Sequence, residues 1–285
     1  MKPVLTLVTA LFSLLAAACG QAKFSAVNIP ASFKGGEVIK DISYGDLPAQ
    51  KLDIYLPQNT AGTMPVVIFF HGGRWTDGTK DQYAFVGKKF SELGYMAVIP
   101  GTRQYPKVKF PAFMHDTAAA VAFVADNISE YGGDPENIFL SGHSSGAHKA
   151  ALVIADEKYL QAHGHSPNII RAFAGLAGPY DFVPQAPDIK NIFGPPENYP
   201  AMQVTNFIDG DEPPMLLIHG TDDQTVKISN LHKLAEGIEN RGGNVQTKIL
   251  PGINHIDLIR DFSWLDAKTI HIPDIMIDFF SKNAQ

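Results

Sequence analysis

Gly142-His143-Ser144-Ser145-Gly146 places a serine between two glycines at two-residue spacing. A serine hydroxyl is a weak nucleophile until a base takes its proton and donors stabilise the oxyanion it generates. Residues suited to both tasks lie elsewhere in the chain. Downstream come His219-Gly220-Thr221-Asp222-Asp223-Gln224-Thr225-Val226 and then Pro251-Gly252-Ile253-Asn254-His255. His255 can accept the Ser144 proton and pass it to a leaving group, while an aspartate fixes the imidazole tautomer. Asp222 and Asp223 follow the same apolar run, and Asp181 is a third candidate for that acid. Upstream, His71-Gly72-Gly73-Arg74-Trp75 sets two glycines where main-chain N–H groups can approach a tetrahedral oxygen with no Cβ in the way. The expected oxyanion donors are the N–H groups of Gly73, Arg74 and Ser145. His71 is expected to brace that loop, and Trp75 either lines an acyl pocket or packs. The chain has ten histidines, and His143, His148, His163 and His165 read as surface or packing residues.

These residues are useful only if regular elements bring them together. Asn137 to Ser141 is apolar and β-prone, and Ala147 to Asp156 reads as a helix, so Ser144 falls on a strand-turn-helix junction. Unbroken apolar runs at Pro65–Phe70, Tyr95–Pro100, Ile170–Leu176 and Pro214–Gly220 read as strands buried on both faces, and Val245–Leu250 as the last strand. Val38–Tyr44 and Gln50–Leu56 alternate in polarity around a turn and predict an antiparallel hairpin at the sheet edge. Helices are predicted over Asp81–Leu93, Phe113–Tyr131, Lys227–Asn240 and Ala267–Phe280, the third with Leu231, Leu234, Ala235 and Ile238 on one stripe. Strands alternating with helices predict an α/β domain, its sheet mostly parallel, twisted and covered on both faces. Loops after such strands collect at one sheet edge, where ligands bind. Residues 182–212, rich in Pro, Asn and Asp, show no strong period and read as an insertion or lid over the site.

A chain of 285 residues supports one domain of this class. Its net charge of −6 offers no basic face, which argues against nucleic-acid binding. No metal-ligand cluster is evident and no cofactor is called for. Met1-Lys2 followed by the apolar run Val4–Ala18 fits a signal peptide, residues 1–18. The run ends Leu15-Ala16-Ala17-Ala18-Cys19, similar to a bacterial lipobox, with Ala16 where many carry Leu. Cys19 is the only cysteine, so an intramolecular disulfide is ruled out and a lipid anchor is the expectation, against simple cleavage after Ala18. Residues 19–37 would then tether a catalytic domain, residues 38–285, to the bacterial envelope membrane.

The chain resembles the α/β-hydrolase carboxylesterases of the hormone-sensitive-lipase-like group. HGGRW is similar to the HGGxW form found in arylformamidases and isoprenylcysteine-methylesterase-like enzymes. Tyr105 to Leu152 resembles the family's central block, and HGTDDQTV and NHIDL its acid and histidine blocks. Arg74 departs from the third glycine of the lipase-like branch, and Ser145 from the more usual alanine; neither removes a main-chain donor. Gly220-x-x-Asp223-x-x-Val226 resembles the family's acid loop, in which Asp223 faces the histidine and Asp222 turns outward. The resemblance implies an α/β-hydrolase fold and a serine esterase acting on small to medium carboxylic esters, small-molecule substrates, through Ser144, Asp223 and His255. An arylformamidase is the nearby alternative, and a non-catalytic binding lipoprotein of the same fold a more distant one.

Overall fold

The computed structural model describes residues 28, 36–58, 62–263 and 270–285. The segment expected to be a signal peptide, and Cys19, lie outside the described residues. Eight strands form one sheet: β1 (Val38–Ser43), β2 (Lys51–Tyr55), β3 (Met64–Phe70), β4 (Met96–Pro100), β5 (Gly133–His143), β6 (Ala172–Leu176), β7 (Met215–Gly220) and β8 (Val245–Leu250). Their spatial order is β1-β2-β4-β3-β5-β6-β7-β8. The β1–β2 and β2–β4 pairs are antiparallel and the other pairs parallel. This is the α/β-hydrolase fold.

Strand side chains alternate between two cores. Val66, Ile68 and Phe70 of β3 join Met96 and Val98 of β4 and Met215 and Leu217 of β7 on one face. Val67 and Phe69 join Ala97, Ile99, Leu216 and Ile218 on the other. Burial on both faces is why the strands lack polar alternation. Helix α1 (Ala84–Glu92) packs on the second face, and α2 (Ala112–Asn127) and α3 (Ser145–Ala155) on the first. The short α4 (Lys158–Gln161) and α5 (Pro187–Phe193) follow, then α6 (Ser229–Glu239), α7 (Asp257–Arg260) and α8 (Ile272–Lys282). The stripe expected on α6 is the face it buries.

The differences from expectation are local. Residues 81–83 form hydrogen-bonded turns before α1 instead of its first turn. The helix expected to reach Tyr131 ends as a 3₁₀ turn, Ile128–Tyr131, closed by Gly132 at φ 82°. A left-handed cap of this kind favours glycine. Strand β5 starts at Gly133, where it pairs with Met64, ahead of the apolar run. The closing helix starts at Ile272, and residues 267–269 lie outside the described residues.

Residues 182–212, expected as an insertion or lid, carry short elements of their own. They hold α5 and two 3₁₀ turns, and Ile189, Ile192, Phe193, Met202, Val204 and Ile208 enter the main core. The segment is part of the body of the domain. Its apolar residues 189, 192 and 193 follow helical spacing, but for too short a stretch to stand out among prolines.

Candidate active site

Ser144 sits between β5 and α3 with φ 55° and ψ −125°. A non-glycine residue there stores strain of roughly 1–3 kcal/mol and persists only when its surroundings hold it. The Ser144 N–H donates to Leu176 O at 2.8 Å, and Ser144 O accepts from the His148 N–H at 3.1 Å. Both flanking glycines are sterically required. A Cβ on Gly142 would stand 2.6 Å from the Gly146 carbonyl carbon, and one on Gly146 would stand 2.0 Å from Phe70 O. The strand and helix therefore touch backbone to backbone, and the serine is carried to the apex of the turn.

Strands β7 and β8 are neighbours with Gly220 opposite Leu250, so the loops that follow them meet. A Cβ on Gly220 would lie 2.0 Å from Ile253 O, and Asp222 N–H donates to that carbonyl at 3.0 Å. In this setting His255 Nδ1 lies 2.7 Å from Asp223 Oδ2. The carboxylate can only accept, so Nδ1 carries the hydrogen and Nε2 is left as the basic nitrogen. Asp223 Oδ1 accepts from the N–H groups of Thr225 at 2.8 Å and Val226 at 2.9 Å. Burial works to raise the Asp223 pKa, but the hydrogen bond from His255 and those main-chain donors outweigh it and hold the carboxyl below its usual range. Asp222 is exposed and bonds Thr221. Asp181 is engaged by Lys233 at 2.6 Å and Thr205 at 2.8 Å.

Two further histidines brace this pair. His219 Nε2 lies 2.9 Å from Val226 O and 3.5 Å from Asp223 Oδ2, and burial pushes its pKa down. His143 Nε2 lies 3.0 Å from His255 O, and the two rings are 4.6 Å apart. His255 is thus tied to the residue directly before Ser144. Among the described residues no hydrogen bond joins Ser144 to His255 in this conformation. Such catalytic contacts commonly tighten only when substrate is bound.

The His71–Trp75 loop leaves β3, which pairs with β5, and so runs beside the serine turn. A Cβ on Gly72 would be 3.2 Å from Ser144 Cβ. Gly73, Arg74 and Trp75 have φ of 127°, 54° and 62°, a left-handed run that curls the chain back. Gly73 O accepts from Thr76 and Asp77 N–H groups and closes the turn. Among the described residues, the N–H groups of Gly73, Arg74 and Ser145 meet no acceptor. The Arg74 guanidinium reaches out to Asp188 of α5 at 2.6 Å, so the residue can offer its N–H without placing its charge over Ser144. His71 braces the loop as expected: its Nδ1–H donates to Gly72 O at 2.8 Å and its ring lies 5.4 Å from that of Tyr83.

Trp75 packs and also lines the site. It stacks on Phe182 at 5.7 Å and meets Phe193 edge-on at 4.8 Å. A cavity of about 160 Å³ opens at Ser144 between Trp75, Phe182, Ile189 and Val226. It adjoins one of about 400 Å³ with a polar wall that includes Asp181, Gln185, Asn230 and Lys233. Of the histidines expected at the surface or in packing, His148 packs with its Nε2 2.8 Å from Met202 O, and His165 pairs with Asp126.

The BD-FAE family model matches residues 52–238. An isoprenylcysteine alpha-carbonyl methylesterase of Arabidopsis thaliana is 28% identical over 248 residues, covering 79% of this chain and 58% of that protein. A kynurenine formamidase of Danio rerio is 32% identical over 148 residues, covering 52% of this chain and 48% of the other. The chain therefore spans about half the length of these relatives. Among solved structures, esterase B of Lactobacillus rhamnosis superposes with a TM-score of 0.77 at 19% identity, covering 96% of this chain and 95% of the other.

Proposed function

Because the chain belongs to the BD-FAE family, we propose that it is a serine esterase that cleaves small carboxylic esters through an acyl-enzyme intermediate. The observation that carries this reading is the buried Asp223–His255 pair, 2.7 Å between Oδ2 and Nδ1, beside the strained turn that presents Ser144. His255 Nε2 takes the Ser144 proton as Oγ attacks the ester carbonyl. The N–H groups of Gly73, Arg74 and Ser145 receive the oxyanion, each such donor contributing roughly 2.7–4 kcal/mol in sites of this kind. His255 then protonates the departing alcohol. In the second half, water gives a proton to His255 as its oxygen attacks the acyl carbon, and the intermediate collapses with that proton passing to Ser144 Oγ, which releases the acid and restores the free serine. Asp223 stabilises the imidazolium in both halves.

The small cavity beside Ser144 supports short acyl groups, and the polar cavity adjoining it supports a hydroxyl-bearing alcohol. The aromatic wall of Trp75, Phe182 and Phe193 favours one second reading, an aryl formamide as substrate, in line with the formamidase relative.

The test is one panel: acetyl, butyryl and dodecanoyl aryl esters and N-formylkynurenine, offered to wild type and Ser144→Ala, with fluorophosphonate labelling mapped by mass spectrometry. Short esters are expected to turn over fastest, and both turnover and label are expected to vanish in the variant. Label that persists in Ser144→Ala overturns the nucleophile; formylkynurenine outpacing every ester moves the reading to formamidase. We propose further that Cys19 carries lipid and anchors the enzyme to a bacterial envelope membrane. Cys19→Ser should then leave the membrane fraction, and a wild-type protein found soluble with an unmodified thiol would contradict it.

A further inference from the structure

His143 occupies the variable position between Gly142 and the serine, and the reaction above does not use it. Three parts of the site meet at its ring. It ends β5, the strand that delivers Ser144. A Cβ on Gly72 of the oxyanion loop would stand 3.0 Å from its Nδ1. Its Nε2 lies 3.0 Å from the main-chain carbonyl of His255. A carbonyl oxygen only accepts, so Nε2 carries the hydrogen and Nδ1 holds the lone pair. Nδ1 is buried and has no partner among the described residues. The ring is therefore a neutral donor aimed at the loop that bears the base.

The loop's other hydrogen bonds shape it from within or join it to the turn after β7. Asn254 Oδ1 accepts from the N–H groups of Ile256 and Asp257, which shapes the turn from within. At the far end of the His255 side chain, Asp223 holds Nδ1. Ile253 O and the Gly252 N–H tie the loop to the turn after β7, through Asp222 and Thr221; His143 ties it to the strand that carries the nucleophile.

We infer that His143 is a positioning residue: as a neutral donor to His255 O, it ties the general base to the strand that carries the nucleophile. The inference rests on the reading of Ser144, Asp223 and His255 as the reacting residues. Charge matters as well as reach. The titratable groups around His143 are His255, Asp223 and His219, and burial followed by the charge on His255 pushes its pKa down to about 3. A neutral ring there does not oppose the imidazolium that forms on His255 during each transfer, whereas a fixed cation would.

The test compares His143→Gln, which keeps an N–H at similar reach, with His143→Leu, which keeps bulk and loses the donor. On a short aryl ester, Leu is expected to lower kcat on the order of 10²-fold, the scale of a small misplacement of reacting groups, with KM little changed. Gln is expected to recover most of that loss. Fluorophosphonate labelling of Ser144 should slow in parallel, while melting temperatures separate lost registration from lost folding. Proton NMR adds an arm that needs no turnover: the downfield resonance of the His255 Nδ1–H bound to Asp223 should persist in wild type and Gln and broaden in Leu. If Leu fails to fold, His143→Ala carries the same expectations. Leu with wild-type kcat, or Gln no better than Leu, overturns the inference. If wild type cleaves no ester, the esterase reading has failed, and the NMR arm still decides this one: an unchanged resonance in Leu overturns it.

Discussion

Asp223 accepts two main-chain hydrogen bonds and one from His255, while Asp222, one residue away, is exposed and bonds Thr221. The difference comes from the turn. Val226, three residues on, is buried, and its N–H closes back on Asp223 Oδ1, which aims the other oxygen at the histidine. Asp223→Asn would keep the shape and present an amide that favours the wrong imidazole tautomer. A loss of kcat on the order of 10⁴, as known for the equivalent change in another serine hydrolase, is expected on a short aryl ester. Asp222→Asn and Asp181→Asn should stay within a few-fold of wild type, because the first removes a solvated charge and the second a half-exposed ion pair away from His255. Collapse of either, with Asp223→Asn still active, would reassign the acid.

At the scale of elements, the serine motif is a statement about packing. Helix α3 crosses the end of β3 so closely that Gly146 leaves no room for a methyl group, its Cβ position being 2.0 Å from Phe70 O. Backbone cannot rotate aside as a side chain can. Gly146→Ala is expected to cost about 3 kcal/mol, the upper end of overpacking, and to disorder the turn. Gly237, inside α6, has nothing within 4 Å of its Cβ position. There, Gly237→Ala should stabilise by about 0.5–1 kcal/mol, because alanine loses less backbone entropy in a helix. Urea unfolding of the two variants checks both signs; equal effects would mean that helix propensity and not contact governs α3. Residues 182–212 teach a related point. Expected as an insertion or lid over the site, they close Phe182 and Phe193 around Trp75, while Met202 O accepts from His148 of α3. The wall of the cavity at Ser144 is therefore core packing, which keeps the cavity small.

For the molecule as a whole, burying neutral histidines ties stability to pH. Burial, the largest cause in each case, pushes His71 and His143 to about 3 and His148 to about 4. In the unfolded chain each titrates near 6.5. Above that pH neither state binds the protons, and the three residues add no pH dependence. Between about 6.5 and 4 the unfolded chain takes up protons that the folded chain refuses, so unfolding is favoured as pH falls. The slope approaches roughly 1.4 kcal/mol per pH unit for each histidine. Urea unfolding from pH 7 to 4.5 should show this fall, and His148→Gln should make it shallower by about one proton. A flat profile would show that the rings are protonated in the folded state.

Local rules carried much of this into the sequence. Apolar runs marked β3, β4, β6 and β7 because strands buried on both faces admit few polar residues. The glycine spacing marked the serine turn because a backbone contact tolerates no Cβ. The choice of Asp223 over Asp222 came from the resemblance to the family's acid loop and not from a local rule. What the sequence left open depends on which strands become neighbours. His143 and His255 lie 112 residues apart. Nothing in either segment signals the other, and as one of ten histidines His143 read as a surface or packing residue. Only when the sheet orders β5, β6, β7 and β8 side by side does the imidazole beside the nucleophile reach the carbonyl of the base. A hydrogen bond of that kind is fixed by three-dimensional position, and residue spacing along the chain carries no record of it.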